Sequence, residues 1–195
     1  AKAVDNTAQF TQAQENATPF SAQFADDRVS RQMRSVAETI KIRQFLNVSR
    51  QMFYVSTGGY DTHSNQANSI GGLHADLAAA ISSFREAMVE IGEWNNVVVF
   101  TASDFGRTVI DNGNGTDHGW GGHHFVAGGD VQGKRLYGEV PFADVASNSY
   151  TKSRGRLIPT TSVEQYAATM GSWFGLDNSE LRASLPNLNN FNNTD

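Results

Sequence analysis

The chain has 195 residues, of which 39% are hydrophobic and 18% are charged, and its net charge is −5 at pH 7. This balance is typical of a globular protein with one sizeable core, and it gives no general attraction to nucleic acid or to an anionic membrane. The absence of cysteine excludes disulfides and thiolate metal sites, and no apolar run approaches the roughly 18 residues that a membrane span requires.

The amino-terminal part of the chain predicts helical structure. Residues 1–27 are rich in Ala, Gln, Asn and Thr, which predicts a peripheral segment with a frayed helix and a loop around Pro19. From Arg28 to Phe45 the apolar residues recur at the spacing of an amphipathic helix, which we expect to pack on a sheet. These apolar residues are Val29, Met33, Val36, Ile40 and Ile42.

The run from Gln51 to Ser56 predicts a buried strand, because it combines β-branched and aromatic residues. After two glycines come Asp61 and His63, which are two residues apart. In an extended segment such side chains point to the same side, so they are suited to bind one metal ion. The alternative is an Asp that turns the chain beside a surface His.

A strong helical pattern separates this strand from the next one. Residues 71–93 carry apolar side chains at every third or fourth position, and residues 97–100 predict a second buried strand. A helical connection of this length implies parallel strands with a right-handed crossover. We therefore expect the carboxyl ends of both strands, with their polar side chains, to meet at one edge of the sheet.

The second strand is followed by Asp104 and Arg107, and then by a loop that holds Asp117, His118 and the pair at 123–124. The spacing in 111–117 does not match a helix–loop–helix calcium site. The alternative for Asp104 is a helix cap, with the histidines as ordinary loop residues. Further along, Ser162 and Gln165 predict a capping box at the start of a last helix.

Four motifs taken together closely resemble one bacterial family, the domain of unknown function 1501. That family looks like a branch of the alkaline phosphatase and sulfatase superfamily. The resemblance implies a partial alkaline phosphatase-like sandwich, with a mainly parallel sheet flanked by helices, and export by a twin-arginine signal to the periplasm or the extracellular space. The motifs lie at residues 59–63, 104–108, 115–121 and 156–162.

The same resemblance implies a site for a divalent metal ion, with zinc or manganese favoured. Phe105 stands where the superfamily has a second histidine, so that His123 or His124 would have to replace it. Arg107 would hold an anionic oxygen of a substrate. The candidate ligands are Asp61, His63, Asp104, His118 and His123.

The nucleophile that the superfamily takes from its amino-terminal half has no counterpart in residues 1–50. We therefore expect this chain to be one domain that forms the carboxyl-terminal part of a longer protein, with the amino-terminal part as its partner. The leading functional hypothesis is a metal-dependent hydrolase or transferase of phosphate or sulfate esters, with a small anionic ester as substrate. The alternatives are an exported member that binds a metal or a partner without turnover, and a phosphate-binding module.

Overall fold

The computed structural model describes residues 10–46, 48–139, 151–152 and 155–191. The chain divides into two compact units. Unit 1 comprises Ala1–Ser103, Asp111–Asp117 and His124–Gly133, and unit 2 comprises Asp104–Ile110, His118–His123 and Lys134–Asp195.

Two helices form the core of unit 1. Helix α1 (Arg28–Lys41) begins after Asp27, whose side chain accepts a hydrogen bond from the backbone N–H of Ser30 at 2.9 Å. Helix α2 (Gln66–Glu90) packs against it through one apolar stripe from each helix. The buried residues of this core are Val29, Met33, Ala37, Ile40, Ala80, Phe84, Ala87 and Met88.

The predicted helices of unit 1 are confirmed, although their packing partner differs. The pattern over 28–45 forms α1 followed by a short 3-10 helix, Arg43–Phe45, and the pattern over 71–93 lies largely within α2. Residues 10–16 are helical as expected, whereas residues 1–9 lie outside the described part of the chain. Because the two apolar stripes bury each other, the main packing partner of α1 is a helix, and the predicted sheet contributes only partly buried residues to this core.

The predicted strand at 97–100 is present as β1 (Val98–Phe100), but its neighbour was predicted wrongly. β1 pairs with β4 (Val126–Gly128) in antiparallel register, with Val99 opposite Ala127. Val97 and Val99 pack against the helical core. The strand therefore borders the core, but it is not the buried strand that was predicted: none of its residues is fully buried, and Phe100 is 45% exposed.

The segment 51–56 is not a strand, which corrects the prediction of a parallel pair with 97–100. Its residues adopt no regular structure, and Met52 and Tyr54 are 81% and 91% exposed. Val55 still packs against the helical core, and the amide of Gln32 exchanges two hydrogen bonds with the backbone of Ser56. Apolar composition predicted burial here, but Val55 is the one residue of this segment that packs against the core, and Phe53 is exposed.

The remaining described strands also form short pairs. β2 (Gly106–Asp111) and β3 (Thr116–Gly119) are neighbours across the turn at 112–115, so the chain reverses between them. β5 (Thr151–Lys152) pairs antiparallel with β6 (Arg156–Leu157). The predicted fold class, a mainly parallel sheet flanked by helices, is thus wrong: the described strands form three separate two-stranded sheets.

Unit 2 ends in two capped helices. Ser162 and Gln165 form the predicted capping box of α3 (Val163–Phe174), and Gly175 ends this helix with a φ of 102°. Helix α4 (Asn178–Ser184) follows, and then a 3-10 helix, Pro186–Asn190. A Cβ on Gly171 would lie 2.7 Å from a methyl group of Leu181, so α3 and α4 approach closely at this glycine. Among the described helices, none has the length and apolar character needed to cross a bilayer.

Candidate metal centre

The loop before α2 places a carboxylate at each ring nitrogen of His63. Nε2 of His63 lies 3.0 Å from Oδ1 of Asp61, and Nδ1 lies 3.5 Å from Oδ1 of Asp117. The side chains of His63 and Asp61 are 49% and 56% exposed, whereas that of Asp117 is only 26% exposed. The two carboxylates therefore differ: one faces solvent and the other is packed into the structure.

A turn holds Asp117 beside the loop. Nδ2 of Asn112 donates to the backbone carbonyl of His63 at 3.0 Å and to Oδ1 of Asp117 at 3.3 Å. Its Oδ1 accepts a hydrogen bond from the N–H of Gly115 at 2.9 Å, which closes the turn. We call residues 61–66 and 111–117, all in unit 1, the loop–turn cluster.

Gly115 allows the two halves of the loop–turn cluster to approach each other. A Cβ at this position would lie 2.3 Å from the carbonyl oxygen of Thr62 and 2.6 Å from the carbonyl carbon of His63. The next residue, Thr116, donates its N–H to the Thr62 carbonyl at 3.2 Å. Only glycine fits here without moving the backbone, so the spacing between His63 and Asp117 depends on this residue.

The same turn also fixes the start of α2. Asn65 precedes the helix with a φ of 55°, and its side chain makes no capping hydrogen bond to the helix backbone. The side-chain and backbone oxygens of Asn114 instead accept hydrogen bonds from the N–H groups of Asn65 and Gln66, each at 3.2 Å. The loop that carries His63 is thereby tied to the turn at both ends.

Tyr60 borders the cluster as a neutral group. Its hydroxyl donates to the carbonyl of Leu73 at 3.0 Å, and its ring contacts that of His74. Burial, and then the charge of Asp76, raise the pKa of the Tyr60 phenol above its usual value. The phenol stays protonated at neutral pH, and its contacts with Leu73 and His74 attach the start of the loop to helix α2.

In unit 2, His118 is held by neighbours of its own. Its ring stacks on Phe105, with 3.9 Å between ring centroids and 7° between planes, and its carbonyl accepts a hydrogen bond from Nε of Arg156 at 3.1 Å. The guanidinium carbon of Arg107 lies 5.6 Å from the centroid of the same Phe105 ring. Phe105 therefore packs against both an imidazole and a guanidinium group.

The predicted site residues fall into both units. Asp61 and His63 are in contact in unit 1, while Arg107, Asp104, His118 and His123 belong to unit 2. Asp104 and His123 are exposed and precede β2 and β4 respectively. His124, the alternative to His123, places Nδ1 3.4 Å from the hydroxyl oxygen of Thr101.

Sequence reasoning missed the part that Asp117 and Asn112 play in unit 1. Their segment, rich in Asn and Gly, was tested as a calcium loop, and Asp117 was grouped with the histidines of the next loop and not with His63. A turn signal does not show which distant loop the turn contacts. The contact of Asp117 with His63 therefore had no sequence signal of its own.

The Asp61–His63 pair fits a divalent cation. A carboxylate oxygen and an imidazole nitrogen 3.0 Å apart have roughly the separation of two ligands that bind one ion at about 2.0–2.2 Å. A carboxylate at the other nitrogen of a metal-binding histidine is the usual arrangement around such a ligand. Both features are present at His63.

Comparison with known proteins identifies a family that matches most of the chain. A family model described as "Protein of unknown function (DUF1501)" matches residues 3–190. Searches of curated proteins and of solved structures found no match.

Proposed function

The chain belongs to the DUF1501 family of proteins of unknown function, and we propose that it is a metal-dependent hydrolase or transferase acting on phosphate or sulfate esters. The substrate would be a small anionic ester. The resemblance of the family motifs to those of the alkaline phosphatase and sulfatase superfamily supports this chemistry. It does so through the Asp and His residue types, since the described residues form only two-stranded sheets and no mainly parallel one.

One observation carries the proposal: both ring nitrogens of His63 face carboxylate oxygens. A neutral imidazole has one N–H and one lone pair. If the N–H is directed at one carboxylate, the lone pair of the other nitrogen lies next to the second carboxylate. The lone pair and the carboxylate oxygen repel each other unless a proton or a cation lies between them. A cation between Nε2 and Asp61 resolves this conflict with ligand types that zinc and manganese accept.

The residues have separate proposed roles. In unit 1, Asp61 and His63 would hold the cation. In unit 2, His118, Asp104 and His123 remain ligands predicted from the sequence, and Arg107 would bind an anionic oxygen by charge-assisted hydrogen bonds. A bound divalent cation would supply stabilisation of charge on the transferring group and would lower the pKa of a bound nucleophile.

The proposal includes a second polypeptide segment and an exported location. The superfamily takes its nucleophile from an amino-terminal portion, and no candidate for it was found in residues 1–50 of this chain. We propose that the amino-terminal portion of the same protein supplies that group. Periplasmic or extracellular location is likewise proposed from the family resemblance.

A second candidate function is an exported member that binds a metal or a partner without turnover. Phe105 favours it, because a phenyl ring occupies a position where the superfamily has a ligand. The Phe105 ring stacks on His118 and so contacts a predicted ligand without being one. Turnover assays separate this candidate from the enzyme.

The test uses the longest natural polypeptide that contains this chain, purified without a chelator and without a histidine tag. We expect a stoichiometric divalent metal by elemental analysis, lost in Asp61→Ala and His63→Ala. His74→Ala is the matched control, since His74 is an exposed histidine of the same unit outside the cluster, and should retain the metal.

The same preparations are then assayed with aryl phosphate and aryl sulfate esters. Turnover that disappears on chelation and returns with zinc or manganese supports the enzyme. A stoichiometric metal without turnover of either ester supports the non-catalytic candidate. A wild-type protein that carries and binds no divalent metal contradicts both.

A further inference from the structure

We infer that Asp117 is a positioning residue, which fixes the proton of His63 on Nδ1 so that Nε2 presents its lone pair towards Asp61. This inference rests on the proposed function, because a metal-binding histidine needs a defined free nitrogen. It adds a role to a residue that neither the motifs nor the family description assigns.

The exposure of the two carboxylates, not their distances, indicates which nitrogen has which role. Nδ1 lies 3.5 Å from Asp117, near the outer limit of a hydrogen bond, so the carboxylate acts on the ring mainly through its charge. Asp117 is less exposed than Asp61, so solvent screens its charge less, and this charge favours the tautomer that carries its proton on Nδ1. The lone pair then lies on Nε2, which is 3.0 Å from the more exposed Asp61.

The surroundings of the two carboxylates support the same assignment. Asp117 is 26% exposed, lies in β3, and accepts a hydrogen bond from Asn112 at 3.3 Å. Asp61 is 56% exposed and follows a segment without regular structure. A fixed carboxylate suits orientation of the ring, and an exposed one suits coordination of an ion that arrives from solvent.

Asn112 links Asp117 to His63 through hydrogen bonds to both residues. The same amide nitrogen donates to Oδ1 of Asp117 and to the backbone carbonyl of His63. Asn112 therefore holds the backbone of His63 and the carboxylate beside its ring in one position. The close approach at Gly115 sets the distance between the loop and the turn. Rotation of the His63 ring would separate Nδ1 from Asp117.

The principal variant is Asp117→Asn, which preserves the shape of the side chain and removes its charge. Zinc affinity is measured by competition with a chromogenic chelator, and the tautomer of His63 is measured by long-range ¹H–¹⁵N NMR. We expect zinc affinity to fall by about 10–100-fold, the usual effect of losing a partner of a metal-binding histidine. We also expect the zinc-free variant to lose the preference for a proton on Nδ1.

Three comparisons make the result specific. Asp130→Asn removes a charge from an exposed aspartate of unit 1 outside the cluster and should leave affinity and tautomer unchanged. Asp61→Asn should weaken zinc binding while the proton stays on Nδ1. Asn112→Ala keeps the carboxylate but removes its tether, so it should shift both readouts in the direction of Asp117→Asn even if that variant folds poorly.

The outcomes separate this inference from the proposed function. An Asp117→Asn protein with wild-type affinity and tautomer would overturn the inference, as would loss of zinc binding with the tautomer unchanged, which would make Asp117 a direct ligand. A wild-type protein that binds no zinc would contradict the proposed function instead. The tautomer measurement on the zinc-free proteins would then still decide the role of Asp117.

Discussion

Phe105 packs on His118, a side chain that the sequence predicted as a metal ligand. The resemblance to the alkaline phosphatase superfamily implied a histidine there, and a phenyl ring has no lone pair for a metal ion. Its ring lies nearly parallel to that of His118, at 3.9 Å between centroids. A stack of this kind restricts rotation of the imidazole, so the position supports a candidate ligand without supplying one.

The contribution of this stack can be measured by comparing Phe105→Ala with Phe105→Leu. Both remove the aromatic pair, whereas leucine retains apolar contact, so both should lose about 0.5–1.5 kcal/mol for the pair and alanine should lose more through reduced burial. Urea unfolding at neutral pH gives the two free energies. Wild-type stability in Phe105→Leu would show that stacking on His118 adds nothing.

The contact between Asp61 and His63 also belongs to the residue scale. The sequence predicted it from an extended segment, but the N–H of His63 donates to the carbonyl of Asp61 at 3.1 Å, so a tight turn brings the two side chains together. Asp117 reaches His63 only because the turn at 112–115 docks on a distant loop. That approach depends on Asn112 and Gly115 acting together, and no periodic pattern encodes it.

At the scale of elements, the helices were predictable and the sheets were not. The apolar spacing in α2 and the capping box of α3 both act within a few residues, so local sequence specifies them. Strand pairing joins distant segments. The run at 51–56 has strand composition, but β1 pairs with β4, and no strand in the described part of the chain pairs with 51–56.

Helix α2 provides the test of the core of unit 1. Phe84 is 2% exposed and packs among the buried residues of both helices, so Phe84→Ala should destabilise the fold by about 3–5 kcal/mol in chemical unfolding. Val89, on the same helix and 52% exposed, gives the matched control. Val89→Ala should change stability by no more than about 0.5 kcal/mol, and an equal loss in both variants would contradict this core.

At the scale of the whole molecule, each unit contains a phenol that the fold keeps protonated. In unit 1, burial and the charge of Asp76 raise the pKa of Tyr60. In unit 2, burial raises the pKa of Tyr166, in helix α3, to about 12. Both shifts have the same sign, because burial penalises the phenolate. The folded chain therefore binds protons at alkaline pH that the unfolded chain releases.

This linkage predicts how stability changes with alkaline pH. An unfolded tyrosine ionises at about pH 10, so the contribution of Tyr166 to stability is fully present below that pH and is lost as pH rises towards about 12. Urea unfolding midpoints between about pH 9 and about pH 11.5 should fall in the wild type and fall less steeply in Tyr166→Phe, which has no phenol to ionise. Tyr54→Phe, at a position that is 91% exposed, should follow the wild type. If Tyr166→Phe and the wild type lose stability with the same slope, the phenol in α3 is not what limits the fold at alkaline pH.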